Sequence, residues 1–429
     1  MTRKPVLAIT ALALLALAAP AFATNGYFSL GYGTQYKGMA GAGQASHLST
    51  LASATNPATI AFVKGYDIGL ELFNPNREYT VTGSPSGYPG TFGLAPGTYE
   101  SDSSLFFMPS MAAAWHLSDK AHFGVALYGN GGMNTDYPNP VFGQSPTGVN
   151  LMQAFLAPSF AYDFANHQSL GVSVIGAWQS FEAKGLGAFA MFSSAPTKLT
   201  NNGADTALGY GGRIGYHGMF GEHVGVGASY QTKIAMGEFD DYAGLFAEQG
   251  GFDVPANWSI GVSIMPDKRW IIAADVQQIF YSDVRSIGNP MLPNLMQAPL
   301  GADGGAGFGW EDVTVFKIGA QYQASDTWTL RAGYAHCNQP IPESEVLFNI
   351  LAPGVIEDHA TIGASMLLSP KSALHFALIR GFSSSVEGAN PLEAPGQQTI
   401  KLTMDQWELE FGFSFGFCRA RLEVDSPRG

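Results

Sequence analysis

The sequence predicts an all-β fold: a fourteen-stranded antiparallel transmembrane β-barrel with an N-terminal hatch, or plug, inside its lumen. Three observations predict it. Segments of strict period-two patterning set large apolar side chains against glycine, serine and a few polar residues. Their connections alternate between tight turns and long loops, as the two ends of a membrane barrel require. The chain is poor in charge (13%) but rich in glycine (53 of 429 residues), with 29 Phe, 17 Tyr and 7 Trp. That mix suits an all-β membrane protein better than a secreted sandwich or β-helix.

Residues 1–23 read as a secretory signal. Arg3 and Lys4 supply the positive region, Val6 to Ala19 the apolar core, and Ala21-Phe22-Ala23 the small-x-small cleavage pattern, so the mature chain is predicted to begin at Thr24. The core is too short for a membrane anchor. Losing Arg3 and Lys4 takes the formal net charge from −13 to −15. Beyond residue 23 no run of about 18 apolar residues offers a spanning helix. Such a chain can cross a bilayer only as a closed barrel, because lipid offers no partner to an unpaired backbone group.

Residues 24–63 form the predicted hatch. The stretch Asn25 to Val63 is rich in Gly, Ala and Ser and has neither strand alternation nor a clean helical stripe, apart from a short helical run predicted around 44–54.

The barrel is assigned to 64–417. Its strands are predicted near 64–80, 104–118, 121–134, 148–165, 168–184, 207–219, 222–236, 256–266, 269–283, 312–324, 326–337, 357–369, 371–386 and 399–417. In the eighth, Trp258, Ile260, Val262 and Ile264 oppose Ser259, Gly261 and Ser263. In the last, Trp407, Leu409, Phe411, Phe413, Phe415 and Phe417 oppose Glu408, Glu410, Gly412, Ser414 and Gly416. A soluble sandwich would put Lys, Glu and Thr on its water face rather than so much Gly and Ser. In a membrane barrel the apolar face meets lipid, the small or polar face lines the lumen, and terminal aromatics such as Trp270, Trp328 and Tyr334 form girdles.

Two long loops are apolar. Phe239, Tyr242, Leu245 and Phe246 recur at helical spacing in one; Met291, Leu292, Leu295 and Met296 lie in the other. They predict a groove for a hydrophobic ligand, a packed loop core, or both. The tail, 418–429, lacks alternation and has no assigned role.

Several functions are excluded. The acidic balance argues against nucleic acid. Cys337 and Cys418 have no metal-like spacing and read as two independent thiols or, as the alternative, a single disulfide, and neither a metal nor a cofactor is predicted. His359 and His375 lie in strands, but no Gly-x-Ser-x-Gly or similar signature accompanies them, so no catalytic residue is assigned. A general diffusion porin would show a charged lumen and no plug.

Five stretches together carry a resemblance: Asn56-Pro57-Ala58 in the N-terminal stretch, the run from Tyr128 to Tyr137 (YGNGGMNTDY), the loop from Gly244 to Phe252 (GLFAEQGGF), the segment from Asn338 to Pro342 (NQPIP), and the C-terminal aromatic strand. In their order and spacing the chain resembles the FadL/TodX family of outer-membrane channels for hydrophobic compounds, over essentially the whole mature length. The resemblance implies a fourteen-stranded barrel in the outer membrane of a Gram-negative bacterium, plugged by a hatch carrying Asn56, Pro57 and Ala58. It implies an inward kink of the third strand at Asn130, Gly131, Gly132 and Met133 that opens the wall sideways; glycines there favour a bend or bulge. The hatch motif is expected to sit against that kink.

Passive uptake would then proceed by loop capture, lumen binding and lateral exit, since an apolar molecule gains nothing from a long aqueous pore. Long-chain fatty acids are the first expectation for the cargo and aromatic hydrocarbons the alternative, with a receptor or adhesin role further behind. A fatty-acid carboxylate needs a cation. Lumen parity offers Lys317, Arg331 and Arg213, or else these pair with lumen carboxylates such as Asp275, Glu408 or Glu410. The expected partners are hydrophobic small molecules, outer-membrane lipid, lipopolysaccharide and the barrel assembly machinery, with a monomeric state.

Overall fold

A computed structural model describes residues 25–416; the signal, Thr24, Phe417, Cys418 and the tail lie outside the described residues. Fourteen strands form the wall: β1 (Gly65–Thr82), β2 (Phe106–His116), β3 (Ala121–Tyr137), β4 (Thr147–Ala165), β5 (Gln168–Lys184), β6 (Asp205–Phe220), β7 (Val224–Gln231), β8 (Asn257–Ile264), β9 (Trp270–Ile279), β10 (Val313–Gln323), β11 (Trp328–Cys337), β12 (Asp358–Ser369), β13 (Ser372–Ala389) and β14 (Thr399–Phe415). Each pairs antiparallel with its neighbours in sequence. Pairing of β14 with β1, from Thr399↔Thr82 to Phe415↔Tyr66, closes the barrel. Two short pieces, Gly97–Glu100 and Ala235–Met236, pair onto β1 and β6. Among the described residues no helix is long and apolar enough to cross a membrane.

The pleat sorts the side chains as the alternation predicts. Ile260, Val262, Ile264, Trp328 and Phe411 are exposed on the outer wall, whereas Ser259, Ser263, Glu408, Glu410 and Ser414 are buried inside. The predicted seventh strand, 222–236, is too long: β7 stops at Gln231, where the backbone turns and Thr232 bonds back to Gly212.

The inward face itself is divided along the barrel axis. On β14 it is polar at Gln406, Glu408, Glu410 and Ser414 but apolar at Ile400, Leu402 and Met404; on β1 it changes from Asp67 and Glu71 to Phe73, Tyr79 and Val81. The lumen therefore has a polar lower storey at the short-turn end and an apolar upper storey under the long loops.

Residues 25–63 occupy the lumen. They form one turn of α-helix at Thr34–Lys37 and 3-10 helices at Thr50–Ala54 and Pro57–Phe62, not a continuous helix over 44–54. Local chemistry sets these pieces. Ser49 caps the amide of Leu51; Asn56 caps that of Ala58, with Pro57 at the first helical position, where its missing N–H costs nothing. The segment lies directly on the backbone of the wall, which accounts for much of the glycine. A Cβ on Gly227 would stand 2.0 Å from the Gln44 carbonyl oxygen, and one on Gly333 would stand 2.3 Å from the Met39 carbonyl carbon.

Candidate functional site

Strands β2 and β3 share only a short ladder, from His116↔His122 to Met111↔Leu127. Beyond Leu127 the upper part of β3 has no ladder to β2, and it next meets the loop that precedes β2, where the Asp102 amide donates to the Asp136 carbonyl (2.8 Å) and the Asp136 amide to Ser101 Oγ (2.9 Å). The cause lies in β3. Its register against β4 runs Gly129↔Ala154, then Gly132↔Met152, so Asn130 and Gly131 together oppose Gln153. This is a bulge, and Gly131 takes φ +138°, a conformation that side-chain-bearing residues rarely adopt. The predicted kink at Asn130–Met133 thus coincides with a bulge and a break in the wall.

The part of the N-terminal segment that meets this break is its first turn. The Ser29 amide donates to the Asn130 carbonyl (2.9 Å), and Tyr32 Oη donates to Asn130 Oδ1 (2.6 Å). Asn56-Pro57-Ala58 does not meet it. Asn56 Nδ2 donates to the Tyr216 carbonyl of β6 (2.9 Å), Ser169 Oγ of β5 donates to the Ala58 carbonyl (2.6 Å), and Gly171 and Gly215 leave room for the motif. The expectation that the motif sits against the kink is corrected: it is seated across β5 and β6.

Above the segment lies a partly open apolar pocket, walled by four long loops and the upper ends of β4 and β5. Phe181, Leu199, Phe246, Leu300, Phe308 and Phe348 line it; Ser286 is its one polar wall residue and no charged side chain lines it. It adjoins the break. Val149, on its wall, pairs with Thr135 of β3, and Thr135 Oγ1 donates to the carbonyl of Leu351, another wall residue (2.9 Å).

The predicted loop residues divide. Leu245 and Phe246 line the cavity. Phe239, Tyr242, Met291 and Leu295 are buried in the loop core, with Leu292 packed on its edge, while Met296 is 62% exposed. Loop polar groups lock that core. The Met291 amide donates to Glu345 Oε2 (2.8 Å), and burial pushes the Glu345 carboxyl up. Burial likewise raises Tyr281, whose hydroxyl accepts from the Tyr27 amide (3.1 Å).

None of the three predicted cations reaches the cavity. Lys317 Nζ donates to the Leu30 carbonyl (2.8 Å), Arg213 to the Ala54 carbonyl and to Gln231, and Arg331 to Gln321 (2.8 Å) and Ser365 (2.6 Å). They secure the N-terminal segment and the wall, and their assignment as carboxylate ligands is corrected on that ground. Asp275 stands opposite Lys317 in the β9–β10 ladder but accepts from the Gly43 and Gln44 amides (2.7 and 2.9 Å). Glu408 and Glu410 pair with a cation that sequence reasoning did not single out. Lys37 bonds to Glu71 and lies 3.3 Å from Glu408 and 3.8 Å from Glu410. Its position in a stretch without periodicity gave no facing signal.

The chain matches a family described as outer membrane protein transport protein (OMPP1/FadL/TodX) over residues 9–405. No curated protein sequence matches it. Solved structures of the same fold include the P. putida toluene transporter TodX (TM-score 0.65, 19% identity, 90% of this chain and 98% of that chain covered). A Pseudomonas aeruginosa FadL homologue (0.65, 16%, 93% and 99%) and the Ralstonia pickettii toluene transporter TbuX (0.60, 19%, 90% and 98%) are also similar. At these identities the likeness is one of fold.

Proposed function

Since the chain belongs to the OMPP1/FadL/TodX family of outer-membrane transport proteins for hydrophobic compounds, we propose that it passes neutral, aromatic-sized hydrocarbons passively from the loop cavity sideways into the membrane. The observation that carries this reading is the break between β2 and β3 beside an apolar cavity. A molecule bound among Phe181, Phe246 and Phe308 keeps its apolar surface out of water, at about 25 cal/mol per Å². It then has only the thickness of the wall to cross. Residues 25–63 act as the hatch, and their first turn, held by Asn130, is the part that must yield.

The uncharged lining favours a neutral cargo over a fatty acid, because a buried carboxylate without a cation or donors is costly. The long-chain fatty acid remains as a second reading on one observation. The buried guanidinium of Arg77, on the upper inward face of β1, bonds to the Asn134 carbonyl at the break and lies 5.5 Å over the Phe106 ring. Monomeric insertion by the barrel assembly machinery and a loop surface turned to lipopolysaccharide complete the proposal.

Two measurements test it. Deleting Gly131 restores one-to-one register between β3 and β4. Uptake should then fall to background while heat-modifiable mobility on a gel still reports a folded barrel; unchanged uptake would remove the lateral route. Purified protein titrated with toluene and with oleate should prefer toluene. Tighter oleate binding that Arg77→Met abolishes would establish the second reading instead.

A further inference from the structure

The inward faces of β4 and β5 are apolar above and below the level of the bulge: Leu151 and Phe155 on β4, Ala177 and Phe181 on β5. Two glutamines interrupt them. Gln153 and Gln179 are 3% and 1% exposed, and both face away from lipid. Tyr32 Oη of the hatch donates to Asn130 Oδ1 (2.6 Å), Asn130 Nδ2 to Gln153 Oε1 (3.2 Å), Gln153 Nε2 to Gln179 Oε1 (3.2 Å), and Gln179 Nε2 to the Phe252 carbonyl (3.1 Å). All four bonds run in one donor direction, from hatch to loop. Gln153 is also the β4 residue facing the Asn130–Gly131 bulge.

Both ends of this chain of bonds are informative. Phe252 packs 4.9 Å from Phe246, which lines the cavity, and 6.3 Å from Tyr27 of the hatch. Asn130, besides Tyr32, holds the Ser29 amide. A displacement of Phe246 by cargo is therefore one ring contact and three side-chain bonds from the bulge. Consecutive bonds polarise one another in a low dielectric, and a buried amide that loses its partner cannot turn to water. Freeing one end therefore makes the next link easier to break.

We propose that Gln153 and Gln179 are positioning residues of the gate. Together with Asn130 they form an amide relay that holds the bulge and the first turn of the hatch in the closed arrangement, and that releases them when cargo moves the Phe246–Phe252 pair. This rests on the lateral-exit reading.

The test compares the full-length wild-type chain with Gln153→Met, Gln179→Met, the double variant and Tyr32→Phe, which breaks the first link by removing a single hydroxyl. Uptake by expressing cells and binding to purified protein are read with toluene and with oleate, using whichever probe the wild type takes up. Each single variant should change uptake by about tenfold, within the usual range of coupling factors, while affinity stays within about twofold. The double variant should match the singles, since a chain cut once is already open. Wild-type uptake in Tyr32→Phe and in a folded Met variant would overturn the relay, as would losses that add in the double variant and track affinity. The Gly131 deletion separates the two failures. If that deletion blocks uptake and the relay variants are normal, only the relay falls. If the deletion is without effect, or the wild type takes up neither probe, the lateral-exit reading falls with it.

Discussion

Lys37 ties the N-terminal segment to the wall through three carboxylates. One ammonium is buried among Glu71, Glu408 and Glu410, all of them 6% exposed or less at the side chain. The group is over-supplied with carboxylate, so the lysine is what makes the three glutamates tolerable in the lumen. Removing one partner of a buried pair leaves an uncompensated charge, at about 3–5 kcal/mol. Lys37→Met should lower the urea midpoint accordingly and raise ion conductance through planar bilayers, as the lower end of the hatch comes loose. A second change, Glu408→Gln, should restore part of both. A variant with wild-type stability and conductance would show that glycine-lined backbone contact alone holds the hatch.

At the level of elements, the wall was legible and its contents were not. A period of two is imposed by the pleat itself, so Trp258 to Ile264 and Trp407 to Phe415 declared both their strands and their faces. The place of the bulge was given by the family resemblance, with which glycines at 129, 131 and 132 agree because they weaken a ladder. What parity could not reveal is which inward residues meet which part of the hatch. Arg213, Lys317 and Arg331 face the lumen, yet two of them bond to carbonyls of Ala54 and Leu30, contacts that only the folded N-terminal segment creates, and Arg331 bonds to side chains of its neighbouring strands. Nor did alternation separate the polar lower storey from the apolar upper one, since both keep the same period. The lumen glycines, read as a small-residue lining, are seats for the hatch backbone. Gly227→Val should therefore leave the barrel assembled but push Gln44 away from β7. Amide hydrogen exchange across 38–48 should become faster; unchanged protection there would mean that the close approach is not a constraint.

The whole molecule is lopsided. β7 and β8 have 8 residues each, whereas β4 has 19 and β1 and β13 have 18. A tilted strand needs about 9–11 residues to cross the hydrocarbon, so the short side fixes how deep the barrel sits and the tall side must stand well above it. Counted from Ala121, the ladder between β2 and β3 ends at Leu127. At about 3.3 Å per residue and a tilt near 40°, that lies roughly 15 Å up a hydrocarbon band about 25 Å tall. On the proposed lateral route, and with Ala121 set at the inner edge of that band, the aperture begins past the bilayer midplane and faces the outer leaflet. A fluorescent aromatic passing through the protein should be quenched first by nitroxide lipids confined to that leaflet; earlier quenching from the inner leaflet would contradict this placement. On the proposed route, discharge on that side leaves the cargo half a membrane still to cross unaided, a step that an uncharged ring makes freely and an ionised carboxylate does not.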